Sequence, residues 1–147
     1  MFTQGDILYF DPFYFKNGNP AKAKYFIVLA VTPTGTVLAT LPSSKDFVPS
    51  GQGIEHGCID IEAATFNCYV FLSGQPVTTN GWAFPRNTFV YGQQLDEYEV
   101  ADLQSRYPVS GLDYEVKGSL TPAELDRLRT CLLASASVKR KFKKLLP

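Results

Sequence analysis

Short apolar runs separated by turn-forming residues fill the chain up to about residue 92, and this pattern is typical of β-strands. Runs rich in β-branched and aromatic residues predict the first strands, at residues 6–10, 25–31 and 36–41. Only Thr32-Pro33-Thr34-Gly35 separates the second run from the third, so we expect these two strands to pair as a hairpin. Weaker runs predict further strands at residues 58–61, 68–72 and 88–91.

The spacing of apolar residues changes after Gly92 and indicates helices. Asp96-Glu97-Tyr98-Glu99 has the form of a helix N-terminus, and Pro108 would end a short helix whose apolar face holds Leu95, Tyr98, Leu103 and Tyr107. Residues 112–116 predict a last strand. Thr121-Pro122-Ala123-Glu124 combines a threonine cap, a proline at the first helical position and a glutamate at the third, which predicts a helix over residues 122–133.

The C-terminal segment combines an apolar face with positive charge. We expect residues 138–146 to form a second, turn-rich helical piece with an apolar face made of Val138, Phe142, Leu145 and Leu146. Residues 137–147 hold five bases and no acid, and the other residues hold nine bases and 14 acids, so the zero net charge divides into +5 and −5. The asymmetry fits contact with nucleic acid, contact with a partner protein, or docking on the chain's own acidic surface.

Short strands followed by terminal helices predict a mainly β fold with C-terminal α-helices, built as a small, strongly bent β-barrel. A chain of 147 residues fits a single domain. We expect the barrel to cover about residues 5–118, with an inserted irregular or helical region at about 47–111 and C-terminal helices at about 121–146. The aromatic residues crowded near the N-terminus either fill the core or form a platform for stacking bases.

Cysteine usage and apolar run lengths indicate a soluble cytoplasmic protein. Cys58, Cys68 and Cys131 match no metal-ligand spacing, and His56 is the sole histidine, so we expect free thiols, no metal and no cofactor. The first residues lack the basic and apolar stretches of a signal peptide. The longest apolar run, residues 25–31, is too short to cross a bilayer, so no membrane association is expected.

A lysine and two serines are the candidate catalytic residues. Lys24 precedes one strand of the predicted hairpin, and Ser43 and Ser44 follow the other, so the ammonium and the hydroxyl groups should meet at one rim. This pairing can hold or cleave a phosphodiester. Candidate substrate-binding cations lie nearby in the sequence or in a loop before a strand: Lys22, Lys45 and Arg86. The alternatives are a solvated lysine and serines that satisfy a turn.

Two weaker constellations involve the histidine and the acids. His56 and Cys58 would share a strand face, as a thiol nucleophile and its base do, but no third residue orients them. Asp60 and Glu62 would also share a face and could bind a cation, although an exposed strand face explains them more simply.

Several motifs together resemble those of the MazF/PemK-like toxins. Gly5-Asp6-Ile7 is similar to the G-D-[IL] start of these proteins. Lys24 followed by Tyr25-Phe26-Ile27-Val28-Leu29 is similar to their R-P-x-[VI]-V-L strand, and Pro42-Ser43-Ser44 to their P-x-T motif. The entry to the last helix, residues 117–125, also resembles theirs. The resemblance covers about residues 5–46 and 112–134.

The resemblance implies an SH3-like barrel that forms a homodimer, pairs with an antitoxin-like protein and cuts single-stranded RNA without a metal. Lys24 then stands at the position of the family's arginine, and Ser44, with Ser43 beside it, at the position of its threonine. Lysine is a compact point charge, whereas arginine offers a planar two-pronged donor, so whether the chain cleaves RNA stays open. The alternatives are a non-catalytic barrel that binds protein or nucleic acid, and a phage or secretion-associated adaptor.

Overall fold

The computed structural model describes residues 2–147 and is mainly β. Its strands are β1 (Asp6–Phe13), β2 (Lys22–Val31), β3 (Thr36–Thr40), β4 (Gly57–Ile61), β5 (Phe66–Phe71), β6 (Thr88–Tyr91), β7 (Leu95–Glu99) and β8 (Tyr114–Ser119). Its helices are α1 (Val100–Arg106), α2 (Pro122–Ala134) and α3 (Arg140–Lys143). Strands together with isolated β-bridges hold 36% of the residues, and helices together with a short 3₁₀ turn hold 18%, so the prediction of a mainly β chain is confirmed. Within residues 2–147, every helix is too short or too polar to cross a membrane.

The strands form two antiparallel sheets. One has five strands in the order β7-β3-β2-β1-β8, and the other has three in the order β4-β5-β6. The predicted hairpin is present as β2 and β3, and Gly35 closes its turn with a φ of 86° that favours glycine. Pro42 follows β3, and an isolated bridge between Ser43 and Phe89 then connects the chain to β6. The two sheets remain separate and do not close into one barrel.

The apolar residues form a central cluster and two outer ones. The central cluster lies between the sheets and includes Ile27 from β2, Tyr69 from β5 and Leu128 from α2. A second cluster covers the other face of the five-stranded sheet under α1, and a third covers the other face of the small sheet under the loop after β3. Phe10, Phe13 and Phe26 are fully buried in the second cluster, so these N-terminal aromatic residues fill the core.

The helix predicted from Leu95 onwards is wrong in its first part. Leu95–Glu99 forms β7, which pairs along its whole length with β3, and the helix begins only at Val100. An exposed edge of β3 offers a row of backbone partners to this segment, and these outweigh the local helix-start signal. The last strand also lies later than predicted, at Tyr114–Ser119.

The C-terminal elements match the sequence pattern more closely. Helix α2 begins as predicted, because the Thr121 hydroxyl accepts a hydrogen bond from the Glu124 N–H at 3.2 Å. In the next segment only Arg140–Lys143 is helical. Val138, Phe142 and Leu146 are buried in the central cluster, with Leu145 packed against it. The apolar face therefore docks on the chain's own core.

The prediction of three free thiols is wrong for two of them. A disulfide joins Cys58 on β4 to Cys131 on α2. Cys68 is free and buried, and burial raises the pKa of its thiol to about 12. The sequence spacing hides the disulfide because 73 residues separate the two half-cystines. Their contact arises only when α2 packs against the small sheet.

Candidate functional site

Lys24 lies where the end of β3 meets the start of β2. It is half-buried opposite Phe10 of β1, and its Nζ donates a hydrogen bond to the carbonyl oxygen of Pro42 at 2.9 Å. This contact follows from the hairpin, since the beginning of one strand must lie beside the end of the next. The ammonium group therefore sits next to the turn that carries the two serines.

Ser44 and Arg86 share a cleft with Lys24. We call it the Lys24 cleft; it measures about 370 Å³ and is lined by Tyr9, Ala23, Lys24, Tyr25, Pro42, Ser44, Pro85, Arg86 and Thr88. Its wall carries two cations and no carboxylate or imidazole. Hydroxyl groups of Ser44 and the tyrosines add hydrogen-bond donors, whereas the Thr88 hydroxyl donates to the Arg86 carbonyl at 2.9 Å. The cleft is thus suited to an anion with several oxygen acceptors.

The backbone and hydroxyl groups of Ser43 are engaged in hydrogen bonds of the turn after β3. Its backbone exchanges two hydrogen bonds with Phe89 of β6, at 3.0 and 2.8 Å. Its hydroxyl oxygen accepts a hydrogen bond from the Lys45 N–H at 3.0 Å. Ser43 does not line the Lys24 cleft. The structure therefore brings Ser44 to Lys24 and leaves Ser43 in the local capping role that hydroxyl residues often take.

Lys22 and Lys45 flank Lys24 and change its acidity. Burial lowers the pKa of the Lys24 ammonium, and the charges of Lys22 and Lys45 lower it further. Both neighbours are exposed. Like Arg86, they form no ion pair within residues 2–147. All the cations predicted to bind substrate thus surround Lys24 without a fixed counter-charge.

A second groove continues from the cleft at Lys24. We call it the Lys16 groove; it measures about 640 Å³, and its lining includes Phe15, Lys16, Lys22, Lys24, Gln94 and Asp96. Lys16 is tied down here, since its Nζ lies 3.2 Å from Asp96 Oδ2 and also donates to the Glu97 carbonyl. The same Nζ lies 4.3 Å from the centre of the Tyr98 ring. Lys22 and Lys24 are therefore the lysines of the groove whose charge is not paired with a carboxylate.

His56 belongs to a separate, buried cluster. Its Nδ1 accepts a hydrogen bond from the Leu72 N–H at 3.1 Å, so its proton lies on Nε2, which donates to Glu124 Oε1. The Tyr69 hydroxyl donates to the same oxygen at 3.2 Å, and Arg127 binds Glu124 Oε2. Both imidazole nitrogens are therefore occupied, and this cluster fastens β4 and β5 to α2.

Neither of the two weaker candidate pairs, His56 with Cys58 and Asp60 with Glu62, forms a site in the structure. Cys58 is in the disulfide, so it is no thiol nucleophile for His56 to activate. Asp60 lies in β4 and accepts a hydrogen bond from the Asn67 side chain at 3.2 Å, whereas Glu62 begins a short 3₁₀ turn. The two carboxylates therefore do not share one strand face.

The sequence reasoning missed the aromatic wall of the Lys24 cleft. Tyr9 of β1 and Tyr25 of β2 are opposite one another in the strand register, and their ring centres are 4.8 Å apart. Both line the cleft. The available signal was strand alternation, because Tyr9 lies between the buried residues Leu8 and Phe10 and must point to the other face.

Comparison with known proteins adds no family to this description. No protein-family model matches the chain, and a search of curated proteins finds no match. We therefore infer function from the site itself and from the sequence resemblance.

Proposed function

We propose that the Lys24 cleft binds the phosphodiester backbone of single-stranded RNA and that the chain is a toxin-like endoribonuclease that needs no metal. The observation that supports this proposal best is the meeting of Lys24, Ser44 and Arg86 in a cleft without carboxylates. Both cations attract a phosphate, and the hydroxyl groups can donate to its non-bridging oxygens.

In the proposed reaction, the 2′-hydroxyl of a nucleotide gives its proton to water and its oxygen attacks the adjacent phosphorus. A 2′,3′-cyclic phosphate forms and the bond to the 5′-oxygen breaks. Negative charge grows on the phosphoryl oxygens, where Lys24 and Arg86 stabilise it electrostatically. The 5′-oxygen must gain a proton as it leaves, and Lys24 suits this role because its lowered pKa makes it a better acid than an ordinary lysine.

The proposal includes an SH3-like arrangement, a homodimer and an antitoxin-like partner protein. The exposed cations of the C-terminal segment, Lys139, Arg140, Lys141 and Lys144, offer an acidic antitoxin a binding surface. We also propose a cytoplasmic location. Disulfides are rare in that compartment, so we expect Cys58 and Cys131 to be reduced there.

A non-catalytic RNA-binding protein is the second candidate. It is favoured by the lining of the cleft, which offers no imidazole or carboxylate to remove the proton from the 2′-hydroxyl. It is also favoured by the Lys24–Pro42 hydrogen bond, which occupies one of the three ammonium protons. Such a protein would bind RNA through the same cleft and release it intact.

The deciding experiment incubates the purified protein with mixed single-stranded RNA in the presence of a chelator. We expect discrete fragments from the wild type. Lys24→Ala should reduce the cleavage rate by about 100- to 1,000-fold, the usual loss when a donor to a developing oxyanion is removed. Growth arrest on expression without a partner should disappear in the same variant.

Lys139→Ala is the matched control, because it removes an exposed lysine outside the cleft and should leave cleavage unchanged. Circular dichroism would verify that Lys24→Ala folds. Binding without fragments would favour the non-catalytic protein, whereas equal cleavage by Lys24→Ala and wild type would remove Lys24 from the mechanism.

A further inference from the structure

An aromatic cleft lies on the small sheet, in the part of the chain to which the family resemblance does not extend. We call it the Phe47 cleft; it measures about 240 Å³, and its lining includes Phe47, Phe66, Asn67, Tyr91, Gln93 and Gln94. Phe47 is 60% exposed, although a side chain of this size is usually buried. An exposed aromatic ring at the mouth of a cleft requires an explanation.

The exposed position of Phe47 is held by hydrogen bonds. Its backbone N–H donates to the Tyr91 hydroxyl at 2.8 Å, and that hydroxyl in turn donates to the Lys45 carbonyl. The Phe47 and Tyr91 ring centres are 5.6 Å apart. The same tyrosine therefore fixes the loop and packs its ring against Phe47, and the two rings together form an aromatic wall of the Phe47 cleft.

Gln94 gives this cleft a polar edge. Its side chain is exposed, and within residues 2–147 its carboxamide forms no hydrogen bond. A free carboxamide can donate and accept at once, which suits the edge of a nucleobase. Gln93 is less available, because its amide contacts the Thr65 carbonyl at 3.4 Å.

The Phe47 cleft is linked to the cationic site through the Lys16 groove, which shares lining residues with both. Gln94 lines both the Phe47 cleft and the Lys16 groove, and Lys24 lines both that groove and the Lys24 cleft. The covalent path is also short, since Phe47 follows Ser44 by three residues in the same loop. The three depressions are thus neighbours through shared lining residues, with aromatic rings in the first and cations without an ion pair in the last.

A path of cations that leads to exposed aromatic rings is the arrangement that binds single-stranded nucleic acid. We propose that the Phe47 cleft is a base-binding subsite, which takes one nucleobase of an RNA strand whose phosphates lie along the Lys16 groove and the Lys24 cleft. This inference rests on the proposed function and adds to it the residues that hold a base.

The test separates base contacts from phosphate contacts. A labelled 2′-O-methyl oligonucleotide lacks the attacking hydroxyl, and an abasic oligomer of equal length keeps the phosphates without the bases. Fluorescence anisotropy should show that the wild type binds the first more tightly. Phe47→Ala should weaken binding of the base-containing strand by about 5- to 100-fold, the usual effect of losing one stacking contact. It should leave binding of the abasic strand unchanged.

Leu112→Ala is the matched control, because Leu112 is a 77% exposed apolar residue that lines none of the three depressions. Lys24→Ala should weaken binding of both oligomers equally. If Lys24→Ala weakens binding and Phe47→Ala does not, the base subsite is wrong while the phosphate site stands. If the wild type binds neither oligomer, both proposals fail.

Discussion

At the scale of single residues, Lys24 stands out because its surroundings disfavour its charged form. Its ammonium group is half-buried, hydrogen-bonded to Pro42 and close to two further lysines. Burial and like charges both disfavour the protonated form, so the pKa is lowered. A bound phosphate would reverse this effect, because it supplies the negative charge that the lining of the cleft lacks.

RNA binding should therefore weaken at alkaline pH because of Lys24. The charged form binds phosphate, so affinity is full below the lowered pKa and falls as the pH rises through it, earlier than for a lysine with the ordinary pKa of 10.5. Lys24→Arg keeps its charge and should move this loss to higher pH. Fluorescence anisotropy of a labelled 2′-O-methyl oligonucleotide, recorded across the pH range, measures this loss of affinity. Lys139→Arg is the control, and an unchanged profile in Lys24→Arg would contradict the role of Lys24.

The same shift affects stability with a definite sign. Between the lowered pKa and 10.5 the unfolded chain holds the Lys24 proton more tightly than the folded protein does. The contribution of Lys24 to the free energy of unfolding therefore rises with pH in this window.

The candidate residues could be predicted as far as their contacts were local. Lys24 and Ser44 meet because a hairpin brings its outer ends together, and the sequence shows the hairpin. The turn-satisfying alternative describes the Ser43 hydroxyl, which accepts from the Lys45 N–H, but the bridge from Ser43 to Phe89 in the other sheet could not be predicted. The Phe47 cleft escaped prediction for a similar reason, because Tyr91 and Gln94 reach Phe47 only through the folded small sheet.

At the scale of elements, Glu124 shows how one residue takes part in two kinds of structure. Its N–H joins the Thr121 cap, which the sequence predicts, while its buried carboxylate binds His56, Tyr69 and Arg127. The first two of these partners are 68 and 55 residues away. Local patterns therefore predict where α2 begins but not what the helix holds.

Glu124→Ala should lower the free energy of unfolding by about 3 kcal/mol, because it leaves the His56 Nε2–H and the Tyr69 hydroxyl buried without an acceptor. Glu124→Gln keeps an oxygen acceptor and should lose less. Urea unfolding monitored by circular dichroism measures both. Asp126→Ala is the control, because it removes an exposed ion pair on the same helix and should change stability by less than about 1 kcal/mol. Equal losses for Glu124→Ala and Asp126→Ala would show that the buried cluster does not stabilise the fold.

At the scale of the whole molecule, the C-terminal segment completes the space between the sheets. Phe142 and Val138 enter the central cluster with Leu128 and Leu132 of α2. The amphipathic pattern predicts which residues point inward. It does not predict that the receiving surface is the chain's own core, since the same pattern would serve a partner protein. Nor does it predict two separate sheets, because their boundary is set by the crossing at Ser43 and Phe89.

Phe142→Ala should lower the free energy of unfolding by about 3–5 kcal/mol, because the side chain is only 4% exposed and its loss leaves a cavity in the central cluster. Lys144→Ala, on the exposed face of the same segment, should change it by less than about 0.5 kcal/mol. Urea unfolding of the two variants provides the comparison. A small effect of Phe142→Ala would mean that the segment is not docked in solution.

The outer strands of the five-stranded sheet have a consequence for self-association. On β8, the carbonyl groups of Tyr114, Lys117 and Ser119 accept hydrogen bonds from neighbouring loops. At the middle of β7, Lys16 caps the Glu97 carbonyl, and Asp96 Oδ1 accepts from the Glu97 N–H at 2.8 Å. Another copy of the chain can extend a β-sheet only at an edge strand whose backbone N–H and C=O groups are free to pair. The large sheet offers no such edge at these positions, so a second copy would not extend it there as a continuous ribbon.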